Sequence, residues 1–243
     1  YTWIFCVAMV NPTQGADGER LAKALEALER EDHDQALALL REAAEAGNLE
    51  AQYRLGIMYA NAEGVSLDYV SAAGWLRRAA DGGHARSQSI LAWLYATGYG
   101  VEQSDAEAGR LYLAAARQGL PKDQYTAAAM YRWGRYGVER DPEQMVAWYL
   151  RAANQNFAPA QFALGQLLAR GDMGIERDPL TAFQWLSLAV VNGSENAGRF
   201  LEQLTRQMSP DEVEAAKRRV MDAAGTHSLD PQDAPRSGTG HLL

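Results

Sequence analysis

Four histidines, His33, His84, His227 and His241, and one cysteine, Cys6, are the chain's stock of nitrogen and sulfur ligands. They are dispersed. No His-Glu-x-x-His occurs, and no two histidines stand four apart, the spacing that sets two ligands on one helix face. A lone cysteine near the start leaves the body of the chain without a disulfide or a thiolate metal site. Glu29, Glu31, Asp32 and Asp34 crowd four carboxylates together. Calcium-loop spacing and its mid-loop glycine are missing, so the cluster reads as a solvated turn between helices. Gly98-Tyr99-Gly100 opens like a phosphate loop but continues Val101-Glu102-Gln103, with neither a third glycine nor a lysine, and also reads as a turn. Neither Ser-x-x-Lys nor Gly-x-Ser-x-Gly is present. A carboxylate pair for glycoside chemistry can assemble from distant positions, but nothing singles one out. The sequence implies no cofactor. An enzyme reading is left with a hydrolase or glycan-processing activity at an unmarked site.

Bulk composition narrows the partner. The chain has 243 residues, 47% of them hydrophobic, which is enough for a substantial core. Its 23 Lys and Arg against 31 Asp and Glu give a net charge of −8, and that field repels a phosphate backbone. Nucleic acid is therefore not the expected partner. The run Trp3 to Val10 (WIFCVAMV), followed by Asn11-Pro12-Thr13-Gln14-Gly15-Ala16, has the form of the back half of a secretory signal with a cut near Gly15 or Ala16. On that reading the protein is periplasmic or secreted. The alternative is an N-terminal arm on a cytoplasmic protein. The run is far short of the roughly 20 residues that cross a bilayer, and no later segment reaches that length, so no stable membrane span is expected.

The elements that would position any site come from self-comparison. Ala44, Ala80, Ala116, Ala153 and Val190 recur at a spacing of about 36 residues, the length of one helix pair. Gly47, Gly83, Gly119, Asn156 and Gly193 follow them by a fixed step, and Leu39, Trp75, Leu111, Trp148 and Trp185 precede them. The pattern A-x-x-W-x-x-x-A-A-x-x-G lays an apolar stripe on one helix, on which Trp75, Trp148 and Trp185 are expected to be largely buried, and ends it with a residue suited to the left-handed conformation. A preceding helix shows in Ala51, Leu55, Gly56 and Tyr59, then Leu91, Ala92 and Tyr95, then Ala127, Ala128 and Tyr131, then Ala160, Leu164, Gly165 and Leu168. The small residue after the leucine position admits a partner helix at close range. Gly-Val or Gly-Ile turns join the two helices at 64–65, 100–101, 137–138 and 174–175, and Asp68, Asp141 and Asp178 suit the following N-cap.

These residues resemble the Sel-one-like repeat family, relatives of the tetratricopeptide repeat. The resemblance covers residues 48–193 as four units, with Ser104 in place of the loop Asp in the second and Leu168 in place of the Tyr in the fourth. It implies an all-α superhelical solenoid of antiparallel helix pairs. Residues 17–47 resemble a tetratricopeptide-like capping pair, with helices over 19–29 and 33–46. Residues 194–225 read as C-terminal capping helices opened by a Ser209-to-Glu212 capping box. Residues 1–16 are the signal or arm, and 226–243 read as a flexible tail.

The resemblance also implies a function: a non-enzymatic scaffold, adaptor or regulator, typically bacterial, acting as a monomer and holding a protein or peptide in a concave groove. A β-lactamase-like activity has been proposed for cysteine-rich relatives, and this chain has neither those cysteines nor the serine motif. In tetratricopeptide arrays the first helix of each pair lines the groove. The positions facing it would be Tyr53, Trp93, Tyr125, Arg132, Trp133, Phe162, Gln166, Arg170, Arg199 and Arg206. Trp93, Arg132 and Trp133 stand out because the repeat pattern does not require them, and Trp and Arg are enriched at binding hot spots.

Overall fold

The computed structural model describes residues 12–226, and within them every regular element is a helix. In chain order these are α1 (Pro12–Glu29), α2 (His33–Glu45), α3 (Leu49–Asn61), α4 (Tyr69–Asp81), α5 (Ala85–Thr97), α6 (Asp105–Arg117), α7 (Pro121–Trp133), α8 (Pro142–Ala153), α9 (Ala158–Arg170), α10 (Pro179–Val191), α11 (Glu195–Gln207) and α12 (Pro210–Thr226). The chain divides after Leu111 into two compact units. In the first, α1 packs on α2, α3 on both α2 and α4, and α5 on α4. In the second, α7 packs on α8, α8 on α9 and α9 on α10, with α11 and α12 closing over α10. The fold is thus an all-α array of antiparallel helix pairs. The apolar run Trp3–Val10 lies outside the described residues. Helix α1 begins at Pro12, ahead of the helix expected from Glu19, as a proline suits the first helical position. The Gly15/Ala16 cut expected from sequence falls within that helix.

Local chemistry repeats with the sequence. Asp68, Asp141 and Asp178 each accept two backbone N–H bonds at 3.0–3.1 Å from the first turn of α4, α8 and α10. Ser104 caps α6 more weakly, its Oγ accepting from the Glu107 N–H at 3.3 Å. The backbone N–H of each capping residue also donates to the preceding helix, at Tyr59, Tyr95, Tyr131 and Leu168. Second helices end in the left-handed region at Gly47, Gly83, Gly119 and Gly193, and Asn156 fills that role at φ 61°. Ser209 and Glu212 form the reciprocal capping box, each accepting the other's backbone N–H.

Close helix approach is written in two glycines. A Cβ on Gly56 would sit 2.5 Å from Leu76 Cγ, and one on Gly165 would sit 2.6 Å from Leu186 Cγ. Gly165→Ala is therefore expected to destabilise the second unit by about 1–3 kcal/mol through overpacking, read as a shift in the urea midpoint. At Asp68, hydrogen bonds from the Ser71 hydroxyl and backbone hold the carboxyl below the usual aspartate range. A depressed folded-state value means that its capping contribution is complete above the unfolded value of about 4 and is lost as pH falls through the folded one. The acid limb of the stability profile should be shallower in Asp68→Ser, whose hydroxyl caps without titrating. An unchanged limb would count against the cap as an acid-sensitive element.

The cores correct one expectation. Trp148 and Trp185 are 5% and 4% exposed, but Trp75 is only half-buried at the edge of the first unit's core, with the Arg78 guanidinium 4.6 Å above its ring. In α2, α4, α8 and α10 the residue after that position takes the deepest place, Leu40, Leu76, Tyr149 and Leu186 being essentially inaccessible, whereas in α6 Leu111 lies deeper than Tyr112. A recurring glutamine that sequence reading passed over is buried at Gln52 and Gln161 and half-buried at Gln88. Gln52, Gln88 and Gln161 donate through Nε2 to Ala44, Ala80 and Ala153 at 3.0–3.1 Å, joining the end of one pair to the start of the next.

Candidate functional site

In the first unit the sequence-predicted positions are Tyr53 and Trp93. Tyr53 is half-buried on α3, its ring 4.8 Å from that of His84. The same His84 caps α5 and reaches Glu50 through Nε2 at 3.3 Å. Tyr53 is thus part of the joint between α3 and the turn before α5. Trp93 on α5 is 42% exposed and does not stand alone. Its ring lies 5.4 Å from that of Tyr99, and Tyr99 stacks on Tyr69 at 5.1 Å.

The turn places Tyr99 there. Gly98 ends α5 in the left-handed region, and Gly100, at φ 69°, passes so close to the Tyr69 carbonyl that a Cβ would meet it at 2.1 Å. Sequence reading treated this segment as a turn and missed Tyr99, which is 48% exposed. The available signal was a large aromatic between two turn glycines where the previous repeat has Glu63.

In the second unit two local groupings form. Arg132 lies over the Trp133 ring at 5.0 Å and hydrogen-bonds the Tyr149 phenol, while Tyr125 packs 5.4 Å from Tyr149 and 5.8 Å from Phe157. Burial pushes the Tyr149 phenol up, and the Arg132 hydrogen bond opposes that shift. The Nε of Arg132 is buried without a hydrogen-bond partner among the described residues. Trp133 is 58% exposed. The second grouping centres on Phe200, which meets Phe162 edge-on at 6.0 Å and carries the Arg170 guanidinium at 5.4 Å. Tyr125 and Phe162 therefore have packing duties, and Tyr149 and Phe200, which sequence reading did not single out, organise both groups. Gln166 is half-buried on α9 and Arg199 is exposed on α11. Arg206 is exposed, 3.9 Å from Glu202.

Catalytic or metal-binding arrangements do not emerge from these residues. Among the described residues no three His, Cys, Asp or Glu side chains gather to hold a metal ion, and no helix is long and apolar enough to cross a membrane. Glu29, Glu31, Asp32 and Asp34 are exposed, and Asp32 caps α2 through the Gln35 N–H. What the geometry offers is aromatic and guanidinium surface.

Comparison with known proteins agrees with the architecture. The Sel1 repeat model matches residues 20–48, 49–84, 85–120, 124–157 and 158–193. Its first match takes in the pair that sequence reading set apart as tetratricopeptide-like. Among solved structures, the chain is similar to a protective antigen of uropathogenic Escherichia coli that displays an SLR fold. The TM-score is 0.76 at 28% identity, over 90% of this chain and 47% of the antigen. The chain thus spans about half of that antigen's length. It is also similar to a Sel1 repeat protein from Oxalobacter formigenes, with a TM-score of 0.70 at 26% identity over 74% of each chain. No curated protein matches. Five matched repeats, in register with the helix pairs and spanning most of the sequence, place the chain in the Sel1 repeat family.

Proposed function

We propose that the protein is a non-catalytic binding module that holds a protein or peptide partner on the first helices of its pairs, with Trp93 as the anchor in the first unit and Trp133 beside Arg132 in the second. Sel1 repeat proteins are typically protein-interaction scaffolds, which supports the broad class. One observation carries the finer reading. The tryptophans at the repeated second-helix position in the second unit, Trp148 and Trp185, are about 5% exposed, whereas Trp93 and Trp133, on first helices, are 42% and 58% exposed. Contiguous exposed apolar surface marks interaction sites, and Trp is among the residues most enriched at binding hot spots.

The experiment begins with capture of a stoichiometric partner from the native host, followed by calorimetric titration. Trp93→Ala or Trp133→Ala should weaken binding by about 2 kcal/mol, roughly thirtyfold, while shifting the unfolding midpoint far less than Trp148→Ala does. Wild-type affinity in both variants would refute the reading.

A further inference from the structure

Beside the Trp93–Tyr99–Tyr69 cluster the first unit carries an open groove of about 690 Å³, between α4 and the segment that joins α5 to α6. Its floor is Val70, Ala73 and Gly74, and Arg77 and Tyr95 stand at its wall. Val70 follows directly on Tyr69, so the groove continues from the aromatic cluster.

Three features of the groove are unexplained by folding. Gly74 lies in the middle of α4, exposed, and a Cβ there would meet nothing within 4 Å. No close approach demands the glycine, although glycine weakens a helix interior. Val70 is 70% exposed in the first turn of the same helix. Arg77 is exposed, and its Nη2 donates to the Tyr95 hydroxyl at 2.8 Å with the guanidinium 5.8 Å from that ring. The phenol accepts one hydrogen bond and fixes the side chain without neutralising it. Three other arginines of this unit pair with its acids, Arg20 with Glu42, Arg54 with Glu50 and Arg110 with Glu107, whereas Arg41, like Arg77, donates to a tyrosine hydroxyl. Arg77 has no carboxylate within ion-pair distance among the described residues.

The preceding repeat serves as an internal control. There Arg41 donates to the Tyr59 hydroxyl at 2.7 Å in the same register, but Ala38 stands where α4 has Gly74, and Asp34 where it has Val70. The Arg–Tyr pair is thus common to two repeats. The second alone replaces a charged residue and a methyl group by an apolar surface and a gap beside the guanidinium.

We infer that this groove binds an extended peptide segment of a partner protein. An acidic side chain of the segment pairs with Arg77, and an adjacent apolar side chain lies over Gly74 and Val70. A pre-oriented guanidinium with unused N–H donors matches a carboxylate in two parallel hydrogen bonds. The open floor admits a side chain where the preceding repeat has a methyl group. The inference rests on the partner-binding reading given above and assigns the chemistry of the segment and a second contact surface next to Trp93.

The test uses the full chain and a phage-displayed library of random dodecapeptides as the probe, with the strongest binder resynthesised and titrated by fluorescence anisotropy. Selected sequences should share an Asp or Glu beside an apolar residue. Arg77→Gln, or the amide in place of that acid in the peptide, should each weaken binding at least tenfold, and the two changes together should cost little more than either alone. Gly74→Leu should also weaken binding at least tenfold while leaving the thermal midpoint unchanged or raised, since leucine is the better helix former and points into open space. Selected peptides that bind both variants like wild type overturn the groove, as does a library that yields no binder. Loss of binding in Trp93→Ala with full binding in Arg77→Gln and Gly74→Leu would overturn the groove alone and leave the aromatic reading standing. Indifference to all three substitutions would overturn the groove and also remove Trp93 as the anchor of the first unit.

Discussion

Trp148→Ala is expected to lower the unfolding free energy by about 3–5 kcal/mol, the range for truncating a large buried aromatic, and to move the urea midpoint accordingly. The ring is 5% exposed within the second unit's core, and the Arg151 guanidinium covers its outer face at 4.3 Å. Removing it forfeits the transfer energy of the indole, leaves a void that the rigid helix pair cannot fully close, and strips the arginine of its platform. Trp185→Ala should fall in the same range, being 4% exposed. Trp75→Ala, at the half-buried edge of the first unit, should cost appreciably less. Equal losses for Trp75 and Trp148 would mean that burial does not rank these positions.

The second large effect is predicted for Gln161→Ala, about 3 kcal/mol, from the loss of two hydrogen bonds and the cavity left by the side chain. Gln161 is 1% exposed; its Nε2 donates to the Ala153 carbonyl at 3.0 Å and its Oε1 accepts from Asn192 Nδ2 at 2.9 Å. One amide thus ties the end of α8 to α9 and to the end of α10. Gln161→Glu should be at least as damaging, because a carboxylate would face the Ala153 carbonyl in a site closed to water. Chemical denaturation measures both, and a glutamate variant as stable as wild type would show the site to be wet.

Periodic features were legible because each repeat states them again. Alanines on the buried stripe, terminal glycines, loop aspartates and the Gly56 and Gly165 contacts all follow from residue type and spacing. The half-burial of Trp75 was not legible, since identical register positions differ in depth according to which neighbours cover them. Period alone cannot tell an edge from a centre. The glutamines escaped notice for a different reason: a polar residue in a helical repeat reads as solvent-facing until its partner carbonyl is known. Tyr99 and Arg77 were harder still. A turn tyrosine acquires its ring partners, and an exposed arginine its groove, only when α4, α5 and the segment after α5 are brought side by side. Trp93 was singled out because the repeat pattern does not require it, yet the other rings of its cluster, Tyr99 and Tyr69, were not.

The loops between first and second helices are fastened at both ends. The N–H of the capping residue holds the preceding helix at Tyr59, Tyr95, Tyr131 or Leu168, and the cap itself holds the next helix. In the two later repeats the same two fastenings enclose one more residue than in the earlier pair. Length can therefore vary between the anchors without turning either helix or altering the phase of the apolar stripe. That makes these loops natural acceptors for inserted sequence, in evolution as in engineering. A foreign epitope grafted between Tyr131 and Asp141 would be displayed from a frame that does not register its size.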